Sequence, residues 1–135
     1  MVKIVLTSGK RKTAIARATT RKGKGKIKIN KVPIEIVKPN LVKEIMIEPL
    51  YLLKEKLRKN LNIDVNVFGG GRIGQAQAVA IALARAIVQW YDDKPEIKNK
   101  VMEYNRALIA GDSRRTEPKK FGGPSARARF QKSFR

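Results

Sequence analysis

The sequence predicts a fold of the α+β class that carries an extended basic tail at its C-terminal end. Alternating apolar side chains indicate strands, most of them within residues 1–30. Apolar side chains three or four residues apart indicate helices between residues 40 and 110. Beyond Gly111 this periodicity stops and basic side chains prevail. We therefore expect a globular domain at residues 1–113 and a tail at residues 114–135.

The N-terminal part is expected to form strands in three runs of residues, namely 2–7, 13–20 and 26–29. These runs are rich in β-branched side chains, and the third alternates strictly. Residues 21–25 contain two glycines and predict the turn of a β-hairpin with one apolar and one cationic face. Asn30-Lys31 predicts another turn, and Pro33 confines residues 32–36 to a sheet edge or a loop.

The middle of the chain predicts two short helices followed by a strand. Residues 40–48 have helical spacing, and Pro49 ends or kinks that helix. A second helical stretch covers residues 50–59. Residues 61–68 alternate between apolar and polar side chains almost throughout, which indicates a strand with one buried face.

Two longer helices are expected after Gly69-Gly70-Gly71. The first covers about residues 72–91, and its many alanines allow its backbone to lie close to a sheet. The second has Pro95 in its first turn and ends at Gly111. Its apolar stripe, expected to face the core, consists of Ile97, Val101, Tyr104 and Leu108.

Composition excludes several classes of function. The chain has no cysteine for a disulfide or thiolate site, and no histidine, the commonest general base and metal ligand. Its N-terminus has no apolar run typical of a signal peptide, and the apolar stretch 76–91 is shorter than the ~20 residues of a membrane span. We expect no enzyme, no metal, no cofactor and no membrane protein.

The glycine-rich segment tests the possibility of a nucleotide-binding enzyme. Gly69-x-Gly71-x-x-Gly74 matches the dinucleotide-binding pattern. That site also needs a second parallel strand after the helix, with an acid that binds the ribose. Here another helix follows. The alternative interpretation is a tight strand-to-helix turn, with Arg72 and the glycine amides placed to contact an RNA phosphate.

Positive charge is concentrated at the two ends of this chain, which has 31 Lys and Arg, 11 Asp and Glu, and a net charge of +20. Residues 1–34 hold 11 basic residues and no acid, and residues 114–135 hold 8 basic residues and one acid. Residues 35–113 are nearly neutral. This segregation favours a nucleic-acid partner. The expected RNA-binding cations are Lys10, Arg11, Lys12, Arg17, Arg21, Lys22, Lys24, Lys26, Arg72, Arg114, Arg115, Lys119, Lys120, Arg127 and Arg129.

The tail combines basic side chains with the aromatic residues Phe121, Phe130 and Phe134. Cations bind phosphate and rings stack on unpaired bases, a combination used to recognise single-stranded RNA. A tail of 22 residues can reach roughly 70 Å when extended, whereas a body of this size is about 35 Å across. The tail can therefore contact a target remote from the docking site of the body. Phe121 is alternatively a core or lid residue.

Three segments resemble the S-nine family of small-subunit ribosomal proteins, in its archaeal or eukaryotic form. They are the strand motif at residues 9–18, the glycine-rich turn and helix at 69–78, and a C-terminal signature in 111–135 that includes Gly111-Asp112-Ser113-Arg114 and Pro118-Lys119-Lys120-Phe121-Gly122. The resemblance covers essentially the whole chain. Ser125 stands where the family has glycine and Phe134 where tyrosine is common, and neither difference removes a charge.

The resemblance implies a mixed sheet with helices on one face, like the second domain of the S-five ribosomal protein, including a left-handed βαβ crossover. It also implies a cytoplasmic protein of the ribosome that binds rRNA in the head of the small subunit, beside other head proteins. The tail would reach the anticodon stem-loop of peptidyl-site tRNA through Lys132 and Arg135. Two other hypotheses remain open: a nonspecific nucleic-acid binder of chaperone or chromatin type, and a small nucleotide-dependent enzyme.

Overall fold

A five-stranded mixed sheet is the scaffold of the protein in the computed structural model, which describes residues 1–133. The strands are β1 (Ile4–Arg11), β2 (Ala14–Lys22), β3 (Ile27–Ile29), β4 (Val32–Pro33) and β5 (Leu61–Phe68). Their order across the sheet is β1-β2-β5-β3-β4, and only the β3–β5 pair is parallel. The predicted strand at 61–68 and the edge position of Pro33 are confirmed.

The predicted hairpin with its turn at residues 21–25 is wrong. Strand β2 pairs with β1 through a tight turn at Lys12-Thr13, and β5 lies between β2 and β3. The reason is a set of long-range hydrogen bonds. The side-chain oxygen of Asn62 accepts hydrogen bonds from the backbone N–H groups of Lys24 and Lys26. These bonds hold the glycine-containing loop against the start of β5 and carry β3 past it.

Five α-helices accompany the sheet within residues 1–133: α1 (Asn40–Ile47), α2 (Glu55–Arg58), α3 (Arg72–Trp90), α4 (Pro95–Tyr104) and α5 (Ala107–Ala110). The first and third agree with the predicted helices at 40–48 and 72–91. The stretch predicted as one helix at 50–59 is divided between a 3₁₀ turn at Glu48–Leu52 and α2. The last predicted helix breaks at Asn105, whose side chain accepts a hydrogen bond from the N–H of Ala107.

One face of the sheet is covered by helices and the other is open. Alternate residues of β2 and β5 are buried, and α3 packs against this face through small side chains on both sides. Gly9 of β1 lies directly against the backbone of α3, because a Cβ atom there would lie 2.6 Å from the backbone nitrogen of Ala82. The parallel strands β3 and β5 are connected through α1 and form a βαβ unit, and the hand of its crossover stays a prediction.

Tyr104 does not occupy the place expected for it, and the alternative interpretation of Phe121 is wrong. Tyr104, predicted to be in the core, is 53% exposed, and its hydroxyl donates a hydrogen bond to a carboxylate oxygen of Glu48. Phe121 is fully exposed, so that it is neither core nor lid. No helix within residues 1–133 is both long and apolar enough to cross a membrane.

The segment after α5 has no helix or strand up to residue 133. It is not one straight extension, because residues 121–127 form turns and bends. The N–H of Phe130 donates a hydrogen bond to the carbonyl oxygen of Gly122 over 3.4 Å. This part of the tail therefore folds back on itself.

Candidate nucleic-acid interface

A cationic pocket lies where the β1–β2 turn meets the start of the tail. Its volume is about 370 Å³, and it is lined by Lys10, Lys12, Arg85, Ala110, Gly111, Asp112, Ser113 and Arg115. Three of its four cations were predicted from the sequence. The fourth, Arg85, was missed, although an arginine in the interior of a helix rich in alanine and aliphatic residues was a signal. The fold thus brings the two basic ends of the chain together.

Arg85 positions both walls of this cationic pocket. Its Nε donates a hydrogen bond to the carbonyl oxygen of Ile109 over 2.8 Å, and its Nη1 donates to the carbonyl oxygen of Ser8 over 2.8 Å. One guanidinium from α3 therefore holds the end of α5 and the middle of β1 at fixed distances. Gly111 has a φ of +86° and passes so close to Arg85 that a Cβ atom would be 3.1 Å from Nη2.

Asp112, the acid in the wall of the pocket, is bound by two arginines. Arg11 Nη1 is 3.1 Å from Asp112 Oδ2, and Arg11 also donates through Nε to Gln77 Oε1 over 2.8 Å. Arg114 donates to Asp112 from its backbone N–H and from its side chain, with Nη2 at 2.8 Å. The hydrogen bonds from Arg114, aided by the charge of Arg11, hold the pKa of Asp112 well below its usual range.

These contacts change the roles of two predicted cations. The Arg11 side chain is only 12% exposed, so its guanidinium anchors the start of the tail instead of facing solvent. Arg114 is exposed but uses its side chain on Asp112. Because Asp112 is neutralised by these two arginines, it subtracts little from the positive charge that Lys10, Lys12 and Arg115 present.

The open face of the sheet holds a second group of cations. We use the term open sheet face for the residues of β1, β2, β5 and β3 that point away from the helices. They include Lys10, Arg17, Arg21, Lys28, Ile15, Asp64 and Phe68. The expected division into one apolar and one cationic face is wrong, because Ile4, Leu6 and Phe68 lie exposed on this same face. The Arg17 guanidinium carbon is 5.7 Å from the centre of the Phe68 ring.

Lys22 ends β2, whereas Lys24 and Lys26 lie on the loop that joins β2 to β3, and all three are exposed. Lys22 points to the opposite side of the sheet from Arg21, since successive residues of β2 alternate. Only Arg21 of this basic run therefore belongs to the open sheet face.

The tail cations are partly occupied by Glu117. Its carboxylate accepts a hydrogen bond from Lys120 at 3.0 Å and from Arg127 Nε at 2.9 Å, and these two bonds lower the pKa of Glu117. Arg129 reaches the carbonyl oxygen of Phe121 at 3.5 Å, and Lys119 is exposed. Lys132 is exposed as well, whereas Arg135 lies outside the described residues.

The glycine-rich turn has a packing role. Gly69 and Gly70 have positive φ angles, and Cβ atoms there would lie 2.7 Å from the Thr13 carbonyl oxygen and 3.1 Å from the Ala14 side chain, respectively. Glycine is therefore required for the approach to the β1–β2 turn. Within residues 1–133 no strand follows α3, so the second strand of a dinucleotide site is missing from that part of the chain. Arg72 is exposed at the start of α3.

Comparison with known proteins identifies relatives over nearly the whole chain. The family model described as "Ribosomal protein S9/S16" matches residues 9–135. The chain is 50% identical over 134 residues to the "Small ribosomal subunit protein uS9" of Methanothrix thermoacetophila, covering 99% of this chain and 100% of the relative. The protein of the same name from Halobacterium salinarum is 47% identical over 129 residues, covering 96% and 97%. That from Desulfurococcus amylolyticus is 49% identical over 134 residues, covering 99% and 94%.

Proposed function

The chain belongs to the S-nine family of small-subunit ribosomal proteins, and from that premise we propose that it docks on rRNA of the subunit head through its cationic pocket. It is a structural, non-enzymatic constituent of the small subunit of the cytoplasmic ribosome. The domain at residues 1–113 binds first, and the tail at residues 114–135 extends from it. Its partners are rRNA, neighbouring head proteins and peptidyl-site tRNA.

The observation that carries this proposal is the convergence of Lys10, Lys12 and Arg115 on one cavity. These cations come from opposite ends of the sequence, so their meeting is a property of the fold and not of a local charge run. Phosphate contacts of this kind fix the register and orientation of a protein on RNA without reading its sequence. Arg85 and the Arg11–Asp112 ion pair hold the two sides of the pocket in place before any ligand arrives.

The tail supplies the second part of the proposed function. Arg129 and Lys132 flank Phe130 in the sequence, and all three side chains are exposed, so that this segment offers phosphate and base-stacking contacts together. By resemblance to the family, Lys132 and Arg135 would contact the anticodon stem-loop of peptidyl-site tRNA. The folded-back part at residues 121–127 would need to open for full reach, at a cost in conformational entropy.

A paired set of charge variants tests the pocket. Lys12→Ser with Arg115→Ser removes two pocket cations, whereas Lys98→Ser with Arg106→Ser removes two exposed cations elsewhere. We expect the pocket variant to bind a head-domain rRNA transcript more weakly and to reduce the slope of log K against log salt by about 0.7–0.9 for each lost contact. The control should change that slope much less. Equal slopes for the two variants would refute docking through this pocket.

Competition with random RNA and duplex DNA separates this function from nonspecific nucleic-acid binding. A structural rRNA-binding protein should prefer the folded head-domain transcript, whereas a chaperone-type binder should not discriminate. The role of the tail is tested by deleting residues 130–135. Subunits carrying the shortened protein should assemble normally but bind peptidyl-site tRNA less tightly. An unchanged tRNA affinity would contradict the tail proposal while leaving rRNA docking intact.

A further inference from the structure

Phe68 is an aromatic side chain whose ring the core does not use. It ends β5 on the open sheet face, opposite α3, and is 50% exposed. Its register partner on β2 is Ile15, and the Arg17 guanidinium lies 5.7 Å from its ring centre. A large part of the surface of this side chain is therefore in water. Such a surface suits a ligand that offers an aromatic plane.

The charges around this ring are complementary to a polyanion. Four cations of the open sheet face, Lys10, Arg17, Arg21 and Lys28, accompany one acid, Asp64. Asp64 is the register partner of Lys28, which offsets its charge locally. The side near Phe68 has Lys10 and Arg17 and no acid among its register neighbours.

We propose that the open sheet face binds an unpaired segment of RNA, with one base stacked on Phe68 and the adjoining phosphates contacted by Arg17 and Lys10. The inference rests on the proposed RNA-binding function and adds that the RNA at this face is single-stranded. A base in a duplex has both of its faces covered by its neighbours, so only an unpaired base can present a face to the ring.

The pocket and the ring are close enough to engage one strand. Lys10, Ile15 and Phe68 are register partners in one row across β1, β2 and β5. Adjacent strands are about 4.8 Å apart, so the backbones of Lys10 and Phe68 are separated by roughly 10 Å. Lys10 also lines the cationic pocket. An RNA strand with a phosphate in that pocket can therefore continue directly onto the open sheet face.

Ile4 and Leu6 would suit a protein partner, but they lie on the edge strand away from the Phe68 corner. In the register of β1 and β2, Leu6 is opposite Thr19 and Ile4 is opposite Arg21. Phe68 instead lies in the same row across the sheet as Lys10 and Ile15. The charge complementarity around Phe68 favours RNA at that corner.

The test compares variants of Phe68 in the full-length protein on two matched probes. One is a labelled, unstructured single-stranded RNA of about 12 nucleotides, and the other is the same strand annealed to its complement. Phe68→Leu removes the ring and keeps an apolar side chain, and Phe68→Trp keeps an aromatic ring. Tyr104→Leu is the matched control, because Tyr104 is similarly exposed and lies beside the Glu48 carboxylate. Thermal unfolding of each variant checks that the fold is retained.

We expect Phe68→Leu to weaken binding of the single strand about 5- to 150-fold, the range for loss of one base–aromatic stack. Duplex binding should stay within about twofold, Phe68→Trp should bind like the unmodified protein, and Tyr104→Leu should change neither probe. An equal loss on both probes, or no loss, overturns the inference. Lower incorporation of Phe68→Leu into subunits with unchanged RNA affinity indicates a protein partner and also overturns it.

The same experiment keeps the inference separate from the function on which it rests. If the unmodified protein binds the head-domain transcript but Phe68→Leu is without effect on the single strand, only the stacking inference fails. If the unmodified protein binds none of these RNAs, the proposed function itself fails.

Discussion

A methyl group added at Gly9 should push β1 away from α3. Gly9 is buried in β1 and faces the long helix. A Cβ atom at this position would be 2.6 Å from the backbone nitrogen of Ala82 and closer still to the carbonyl oxygen of Ala78. Both atoms belong to the helix backbone, so no change of side-chain rotamer can relieve the contact. In Gly9→Ala, either the strand or the helix must therefore move.

The expected cost follows from the rigidity of the two elements. Inserting a methyl group into a well-packed core typically costs about 1–3 kcal/mol, and a clash with helix backbone belongs at the upper end of that range. Replacing glycine also lowers the entropy of the unfolded chain, which returns about 0.4–1 kcal/mol. We expect a net loss of about 2–3 kcal/mol in the free energy of unfolding. For a chain of this length, the melting temperature should fall by roughly 6–12 °C.

Gly71→Ala is the matched control for this substitution. Gly71 has a φ of −94°, and a Cβ atom there would meet nothing within 4 Å. Its free energy of unfolding should change by no more than about 0.5 kcal/mol. Urea unfolding followed by circular dichroism compares the two variants at equal protein concentration. Equal midpoints for Gly9→Ala and Gly71→Ala would refute the close packing of β1 on α3.

Three further substitutions test other parts of the molecule. Thr20 is fully buried, and its hydroxyl has no hydrogen-bond partner within residues 1–133, so Thr20→Val should raise the free energy of unfolding by about 1 kcal/mol; a loss of stability in urea would mean that the hydroxyl is bonded. Asp112→Asn should speed amide hydrogen exchange at residues 111–114, because it weakens the contacts with Arg11 and Arg114. The pKa of Asp112 is lowered in the folded protein, so its stabilisation is complete above the ordinary carboxylate range and is lost only as the pH falls through the lower folded value. If the protection of these amides, measured relative to their intrinsic exchange rates, were already lost near pH 6, this assignment would be contradicted. Glu117→Gln should release Lys120 and Arg127 and strengthen RNA binding about two- to fivefold at low salt; weaker binding would show that Glu117 organises the tail for its ligand.

Local pattern was sufficient for elements that bury one side against the core. The alternation of residues 61–68 matches β5 because only one face of that strand is covered by helices. The alanine-rich period of residues 72–91 matches α3 for a similar reason, since its small side chains meet Ala14, Ala16 and Ala18 of β2. In both elements, burial imposes a spacing that is visible in the chain itself.

Partner choice between strands was not visible in the same way. Residues 21–25 read as a hairpin turn because glycines separated two strand-like runs, yet β5 from far along the chain took the place beside β2. The deciding contacts are side chains of Asn62 and Asn30, which bind backbone groups of the loop and of Val67, respectively. Polar residues that act over more than 30 positions leave no periodic signal. Asn105 likewise breaks the last helix through a local bond to Ala107.

The same distinction between local pattern and long-range contacts applies to the proposed RNA interface. The excess of cations at both ends is visible in the sequence. Which of these cations are available to a ligand is not, because it depends on the ion pairs that two acids form in the folded chain. Asp112 engages Arg11 and Arg114, and Glu117 engages Lys120 and Arg127. The contacts of Asp112 fix the start of the tail to the β1–β2 turn. Because Arg11 and Arg114 compensate the charge of Asp112, Lys10, Lys12 and Arg115 dominate the charge of the pocket. The ion pairs of Glu117 stay exposed, so that phosphate can compete for Lys120 and Arg127. In the proposed function, the placement of two carboxylates thus divides a basic chain into a preorganised docking site and an adaptable tail.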